Sequence, residues 1–156
     1  MSFNCGDLDI SEYLIKDSWR DRQNLFSQTY LWRQDGQIRA YCSVVNDNLQ
    51  RQALPEKDQA KYSTKVPYSH YPAVKLARLG VSHEFQGKGL GRHLIISMAL
   101  LMSRHDNKTG CRFMVLDAYK DRVAFYEKIG FRRRIARGSN HTVPMYLDLK
   151  PFRALG

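Results

Sequence analysis

The chain has 156 residues, 43% of them hydrophobic and 26% charged, and a net charge of +10. These values suit one globular domain over 1–156, large enough for a single core, and exclude fibrous or low-complexity classes. The longest apolar run, Leu94 to Met102, is broken by Ser97 and too short to span a bilayer, and no basic leader precedes an apolar N-terminal segment; no membrane is expected, and the expected location is cytoplasmic. Cys5, Cys42 and Cys111 are odd in number and widely spaced, which fits neither a disulfide framework nor a zinc site and suits a reducing cytosol. The positive balance favours acidic partners: coenzyme phosphates, nucleic acid or an acidic protein. Between Lys120 and Arg137 seven basic residues stand against Asp121 and Glu127, either as a solvated face or as part of a binding surface.

In chain order, Asp9-Ile-Ser-Glu12 has capping-box spacing, with Leu8 and Tyr13 placed for a hydrophobic staple. The spacing predicts a helix over 9–23 with Leu14, Ile15 and Trp19 inward. Trp19 and Trp32 are expected in the core. Gln28 to Arg33 reads as a strand, Asp35-Gly36 as a two-residue hairpin, and Gln37 to Val45 as the return strand, with Ile38, Ala40 and Cys42 on one side. Gln50 to Pro72 is a polar loop with a short helix near 56–62, placed to line a substrate mouth. Ala73 to Val81 is an apolar strand, and Leu90, Leu94, Met98 and Leu101 mark a helix. Cys111 to Ala118 reads as the next buried strand. A helix over 120–129 ends at Gly130, and Phe131 to Arg137 with Thr142 to Leu149 form a closing hairpin.

The most informative stretch joins the Ala73–Val81 strand to the following helix. Gly87, Gly89 and Gly91 lie in a loop between strand and helix. Glycines let the main chain approach a ligand and adopt positive φ, and the free N–H groups and dipole of the first helical turn attract phosphate. The site reads as a pyrophosphate cradle; the alternative is a ligand-free glycine-rich connection. The spacing matches neither a P-loop nor a dinucleotide-binding fingerprint, because Lys88 lies between glycines and the pattern is G-x-G-x-G.

What stands is Gln86-Gly-Lys-Gly89-Leu-Gly91, which resembles the acetyl-coenzyme A loop of the GNAT N-acetyltransferases. Downstream, Asp121 to Phe131, with Phe125-Tyr126 and Gly130-Phe131, is similar to that family's second signature. Phe3-Asn-Cys-Gly-Asp-Leu-Asp-Ile10 and the Tyr71-to-Val81 strand resemble one GNAT subgroup, which includes tRNA-acetylating toxins. The resemblance implies an α/β (α+β) fold: a mixed central sheet, flanked by helices, whose splayed parallel strands bind acetyl-CoA. It implies no metal.

The strand–helix–strand unit from Ala73 to Ala118 is expected to be a right-handed crossover with parallel strands. In the resembled family the pantetheine arm enters where these strands part, so the Leu79-Gly80-Val81 edge would pair with its amides. Gln86, Gly87, Lys88, Gly89, Leu90, Gly91 and Arg92 would hold the diphosphate, Lys88 and Arg92 by charge. The Val81 N–H would donate to the thioester oxygen. The resemblance makes Tyr126 the general acid for the departing thiolate, set in contact with the cofactor; a core tyrosine is the alternative. No general base stands out: His83, Glu84 and Asp117 each have a surface or strand-end reading. His93, His105 and His141 lack metal-ligand spacing.

The expected activity is acetyl transfer to a primary amine. Two acceptors stand open: aminoacyl-tRNA, which would make the chain a toxin paired with a ribbon-helix-helix antitoxin, or a small or protein amine. A non-catalytic acyl-CoA-binding module is the reading from another class. A homodimer is compatible with all of these.

Overall fold

The computed structural model describes residues 2–62, 68–135 and 139–155. The helices are α1 (Leu8–Glu12), α2 (Ser18–Gln23), α3 (Glu56–Tyr62), α4 (Leu90–Met102), α5 (Val123–Ile129) and α6 (Lys150–Arg153). The strands are β1 (Gln28–Gln34), β2 (Gln37–Gln50), β3 (His70–Val81), β4 (Phe113–Tyr119), β5 (Arg132–Arg133) and β6 (Thr142–Asp148), in one mixed sheet ordered β1-β2-β3-β4-β6-β5. By contact density the chain divides into two compact units, Met1–Asn46 with Leu76–Met98 and Asp47–Lys75 with Ala99–Gly156.

In the first unit, β1 and β2 are joined at Gln34↔Gln37 by Asp35 and Gly36, both at positive φ (51° and 73°). Two successive positive φ values give a turn whose twist matches that of the flanking strands. The return strand outruns its expected end at Val45, reaching Gln50, and Ala40 to Val44 are buried on both faces.

The N-terminal helix departs from expectation in two ways. Its N-cap is Asp7, whose carboxylate accepts the Ile10 N–H at 3.1 Å, so the capping-box reading at Asp9 fails. The expected staple fails with it, since Leu8 is exposed. A π-helical turn, Tyr13–Asp17, separates α1 from α2. The inward residues are Ser11, Tyr13 and Ser18, with Leu14 partly buried, while Ile15 and Trp19 are 55% and 67% exposed. Hydroxyl bonds explain why serines can occupy the buried stripe: Ser11 Oγ donates to Asp7 O (2.7 Å), and Ser18 Oγ donates to Leu14 O (2.7 Å). A pattern read from apolar residues alone points to the wrong face. Tyr13, Phe3, Cys5 and Tyr41 form the cluster beneath this stripe, with the Tyr41 hydroxyl donating to Ile10 O at 2.6 Å.

In the second unit β3 and β4 pair in parallel, as expected. Their ladder covers three residue pairs, from Ala73↔Phe113 to Lys75↔Val115. β4 pairs with β6 antiparallel along its full length, Phe113↔Asp148 to Tyr119↔Thr142. The core centres on the Phe113 ring, met edge-on by Tyr62, Tyr71 and Tyr146. One carboxylate is buried here: Asp58 of α3 accepts from Tyr146 Oη (2.8 Å) and Arg132 (3.0 Å). A buried carboxylate persists only when such donors satisfy it. The expected hairpin strand from Phe131 is short. Its ladder covers Arg132↔Tyr146 and Arg133↔Met145, and the Arg134 N–H still donates to Pro144 O. Arg137 and Gly138 of that hairpin, and Pro67 of the earlier loop, lie outside the described residues. Among the described residues, no helix is long and apolar enough to cross a membrane.

Candidate active site

The glycine loop lies wholly in the first unit. After β3, a 3₁₀ turn (His83–Phe85) leads into Gln86–Gly89 and then α4. Gly87 and Gly89 have φ of 73° and 80°, and a Cβ built on either would meet no atom within 4 Å. Both features suit a backbone that must bend tightly and leave room for a ligand. The Gly89 carbonyl accepts the His93 N–H at 3.1 Å, so helical bonding starts there. The N–H groups of Leu90, Gly91 and Arg92 therefore have no carbonyl one turn back to bond. Lys88 and Arg92 are exposed beside them. Open space, unspent donors and two cations are what a diphosphate requires, so these residues fit the coenzyme expected from the sequence.

Gln86 works differently from its neighbours. Its side-chain amide donates to Cys5 O (2.6 Å) and Val81 O (2.9 Å), tying the loop to the N-terminal segment and to the end of β3. The His83 N–H donates to Asn4 O, and Asn4 Oδ1 accepts the Gly6 N–H. The Phe3-to-Ile10 stretch thus gains a physical role. Phe3 and Cys5 are buried, Asn4 and Cys5 lend carbonyls to the loop, and Asp7 caps the first helix.

Leu79, Gly80 and Val81 end β3 in the same unit. Gly80 is packed so tightly that a Cβ would come within 2.8 Å of Tyr41 Cε1, 3.0 Å of Ile10 and 3.2 Å of Phe3. Tyr41 cannot readily yield, because its hydroxyl is bonded to Ile10 O and its ring packs edge-on against Phe3. Gly80→Ala is expected to cost about 1–3 kcal/mol of stability through overpacking. Urea denaturation checks this; a loss under about 0.5 kcal/mol would mean the Tyr41 ring moves aside.

Tyr126 belongs to the second unit, on α5. That helix ends at Gly130 (φ 121°), whose N–H bonds back to Glu127 O, while the Phe131 N–H bonds to Tyr126 O at 3.1 Å. This reversal drops the buried Phe131 ring edge-on against Tyr126, with centroids 5.6 Å apart. The Gly130-Phe131 ending therefore fixes the orientation of the phenol. Burial pushes the Tyr126 hydroxyl above its ordinary value of 10.0, and nearby Arg122 pulls it partly back. A phenol so placed holds its proton at neutral pH, as a general acid must.

Of the candidates for a base, Asp117 is engaged by Lys75 Nζ at 2.7 Å, and the exposed Glu84 lies 3.9 Å from Arg39. Arg153 donates to His105 Nδ1. Trp19 and Trp32 depart from their expected core positions. Trp19 is exposed. Trp32 is half-buried and lines a cavity of about 470 Å³ in the first unit with Arg33, Arg39, Phe85, Lys88 and His93. Arg39 carries no motif; its only trace in the sequence is a lone charge inside an apolar strand pattern.

Comparison with known proteins supplies the decisive observation: residues 26–133 match the acetyltransferase (GNAT) domain family. The chain belongs to the GNAT acetyltransferase family. This GNAT chain is 25% identical over 157 aligned residues to a tRNA-acetylating toxin of Mycobacterium tuberculosis, covering 99% of the chain and 88% of that protein. Among solved structures, a tyrosine-to-phenylalanine mutant of KacT superposes with a TM-score of 0.82 at 21% identity, covering 100% of this chain and 91% of that one. AtaT complexed with acetyl-methionyl-tRNAfMet gives a TM-score of 0.81 at 24% identity, covering 98% and 89%. The GNAT fold expected from the motifs is the fold observed, and the chain is an N-acetyltransferase.

Proposed function

We propose that the chain transfers the acetyl group of acetyl-CoA to the α-amino group of aminoacyl-tRNA. The observation that carries this reading is end-to-end similarity to a tRNA-acetylating toxin, over 99% of the chain. The net charge of +10 supports it, since a polyanionic acceptor is drawn to such a surface. So does the chemistry of the acceptor. A lysine amine has a reference pKa of about 10.4, and an α-amine one of about 7.7–8.0. An α-amine near neutral pH is already substantially deprotonated and asks little of the protein.

In this reading the residues divide the work. The backbone around Gly87 to Arg92 would hold the coenzyme diphosphate, and the end of β3 would orient the arm that carries the acetyl group. When bound, acetyl-CoA supplies the acetyl group and the thiol that leaves. Tyr126 Oη would give its proton to the departing sulfur, and the Val81 N–H would donate to the carbonyl oxygen of the thioester. A ribbon-helix-helix antitoxin is the protein partner that fits a toxin.

Incubation with acetyl-labelled acetyl-CoA and total aminoacyl-tRNA tests the acceptor. The expected result is label in the RNA fraction that mild alkali releases as N-acetyl-amino acid. Label on peptides or small amines alone would remove the tRNA reading and leave the acetyltransferase intact.

A further inference from the structure

The cavity between the β1–β2 hairpin and the start of α4 meets the coenzyme loop at Lys88, Gly89 and Leu90, and its hairpin side has no task in the chemistry above. It is lined by Trp32, Arg33, Arg39, Phe85, Lys88 and His93, among others, all within the first unit. Arg39 dominates it. Its side chain is only 16% exposed, and its guanidinium carbon lies 4.0 Å from the centroid of the Phe85 ring. Its Nε is buried without a partner, and among the described residues the guanidinium makes no hydrogen bond. The nearest carboxylates, of Asp35 and Glu84, sit at 3.8 Å and 3.9 Å, and both side chains are largely solvent-exposed. Lys88 Nζ lies over the same Phe85 ring at 5.4 Å.

Both cations lie over the Phe85 ring, and the more buried of them, Arg39, has only two long ion pairs to exposed carboxylates and no hydrogen bond among the described residues. A guanidinium's fork of donors matches a phosphate bidentately, and leaving it unsatisfied when buried is costly. The half-buried Trp32 adds an aromatic face at the same cavity. An aromatic platform beside cations that can follow a backbone is the arrangement that binds a single-stranded nucleotide. The volume, about 470 Å³, falls in the range of small-ligand pockets.

We propose that the hairpin side of this cavity is a nucleotide pocket for the single-stranded 3′ end of the RNA acceptor, with a base stacked on Trp32 and a phosphate held by Arg39. The inference rests on the aminoacyl-tRNA reading for its ligand. Arg39 and Trp32 lie outside the residues assigned to the coenzyme.

The test uses the full chain carrying Trp19→Phe, so that Trp32 is the only tryptophan left to report. A short single-stranded RNA ending in CCA should quench its fluorescence, and coenzyme A should not. Arg39→Gln should weaken RNA binding about tenfold, and the slope of log affinity against log salt should fall by about 0.7. Its coenzyme A affinity should stay unchanged. Trp32→Ala, at the half-buried β1 position, should weaken RNA binding also in case Arg39→Gln does not fold. Unquenched fluorescence, or RNA binding untouched by both substitutions, overturns the pocket. Quenching by coenzyme A that Arg39→Gln abolishes gives the cavity to the coenzyme and overturns it equally. Labelled transfer to aminoacyl-tRNA is measured in parallel. Transfer without quenching ends the pocket and keeps the acceptor, whereas quenching without transfer ends the acceptor reading and keeps an RNA pocket.

Discussion

Tyr126→Phe should lower kcat for acetyl transfer by about 10²–10³, the range of a lost general acid, while the affinity for acetyl-CoA stays within about twofold. The substitution removes one oxygen and leaves the ring packed against Phe131, so the fold should hold. The pH dependence gives a sharper signature. The phenol acts only when protonated, and burial raises its pKa above 10.0. Activity should therefore persist through pH 9 and fall only as pH rises past the ordinary tyrosine value, through the higher pKa of the folded protein. In the phenylalanine variant that alkaline limb should disappear. A stopped-assay pH series on both proteins measures this. A variant with wild-type kcat would assign the proton to another group. Expression of the wild-type chain, and not of this variant, should arrest growth if the toxin reading is right.

Gly89→Val should weaken coenzyme A binding by about 10–100-fold while leaving most of the stability in place. Gly89 has φ of 80°, in the region that β-branched residues avoid most strongly. Forcing valine there costs roughly 1–3 kcal/mol of local strain. The strain can be relieved by turning the loop, which misdirects the N–H groups that open α4. No packing clash contributes, since a Cβ at this position meets nothing within 4 Å. Isothermal titration with coenzyme A reads the affinity, and a thermal melt reads the stability. Unchanged affinity would mean that the diphosphate is not held by this turn.

Local features were legible in the chain wherever a residue's own chemistry decides its conformation. Asp35-Gly36 makes a hairpin because both positions take positive φ, Gly130 ends a helix for the same reason, and Gly87 and Gly89 open the loop. The parallel strand–helix–strand unit followed from apolar runs and connection length. The helix expected over 9–23 was legible as an element, but its buried face was not. Serine hydroxyls satisfied by their own backbone, and a π turn, put Ser11 and Ser18 inside and Ile15 and Trp19 outside.

By itself, then, the sequence determined the family, the order of the elements and the glycine loop, because these depend on interactions between residues close in the chain. The tertiary structure decided what distant residues do for one another. Gln86 reaches Cys5, eighty-one positions away, and Gly80 must lack a side chain because Tyr41, Ile10 and Phe3 already fill its space. Asp58 stays buried on donors from Arg132 and Tyr146, and Arg39 lies on Phe85 with no hydrogen bond among the described residues. Such contacts arise from packing across the fold, where burial makes each unmet donor or misplaced methyl group costly, and no local pattern in the chain encodes them.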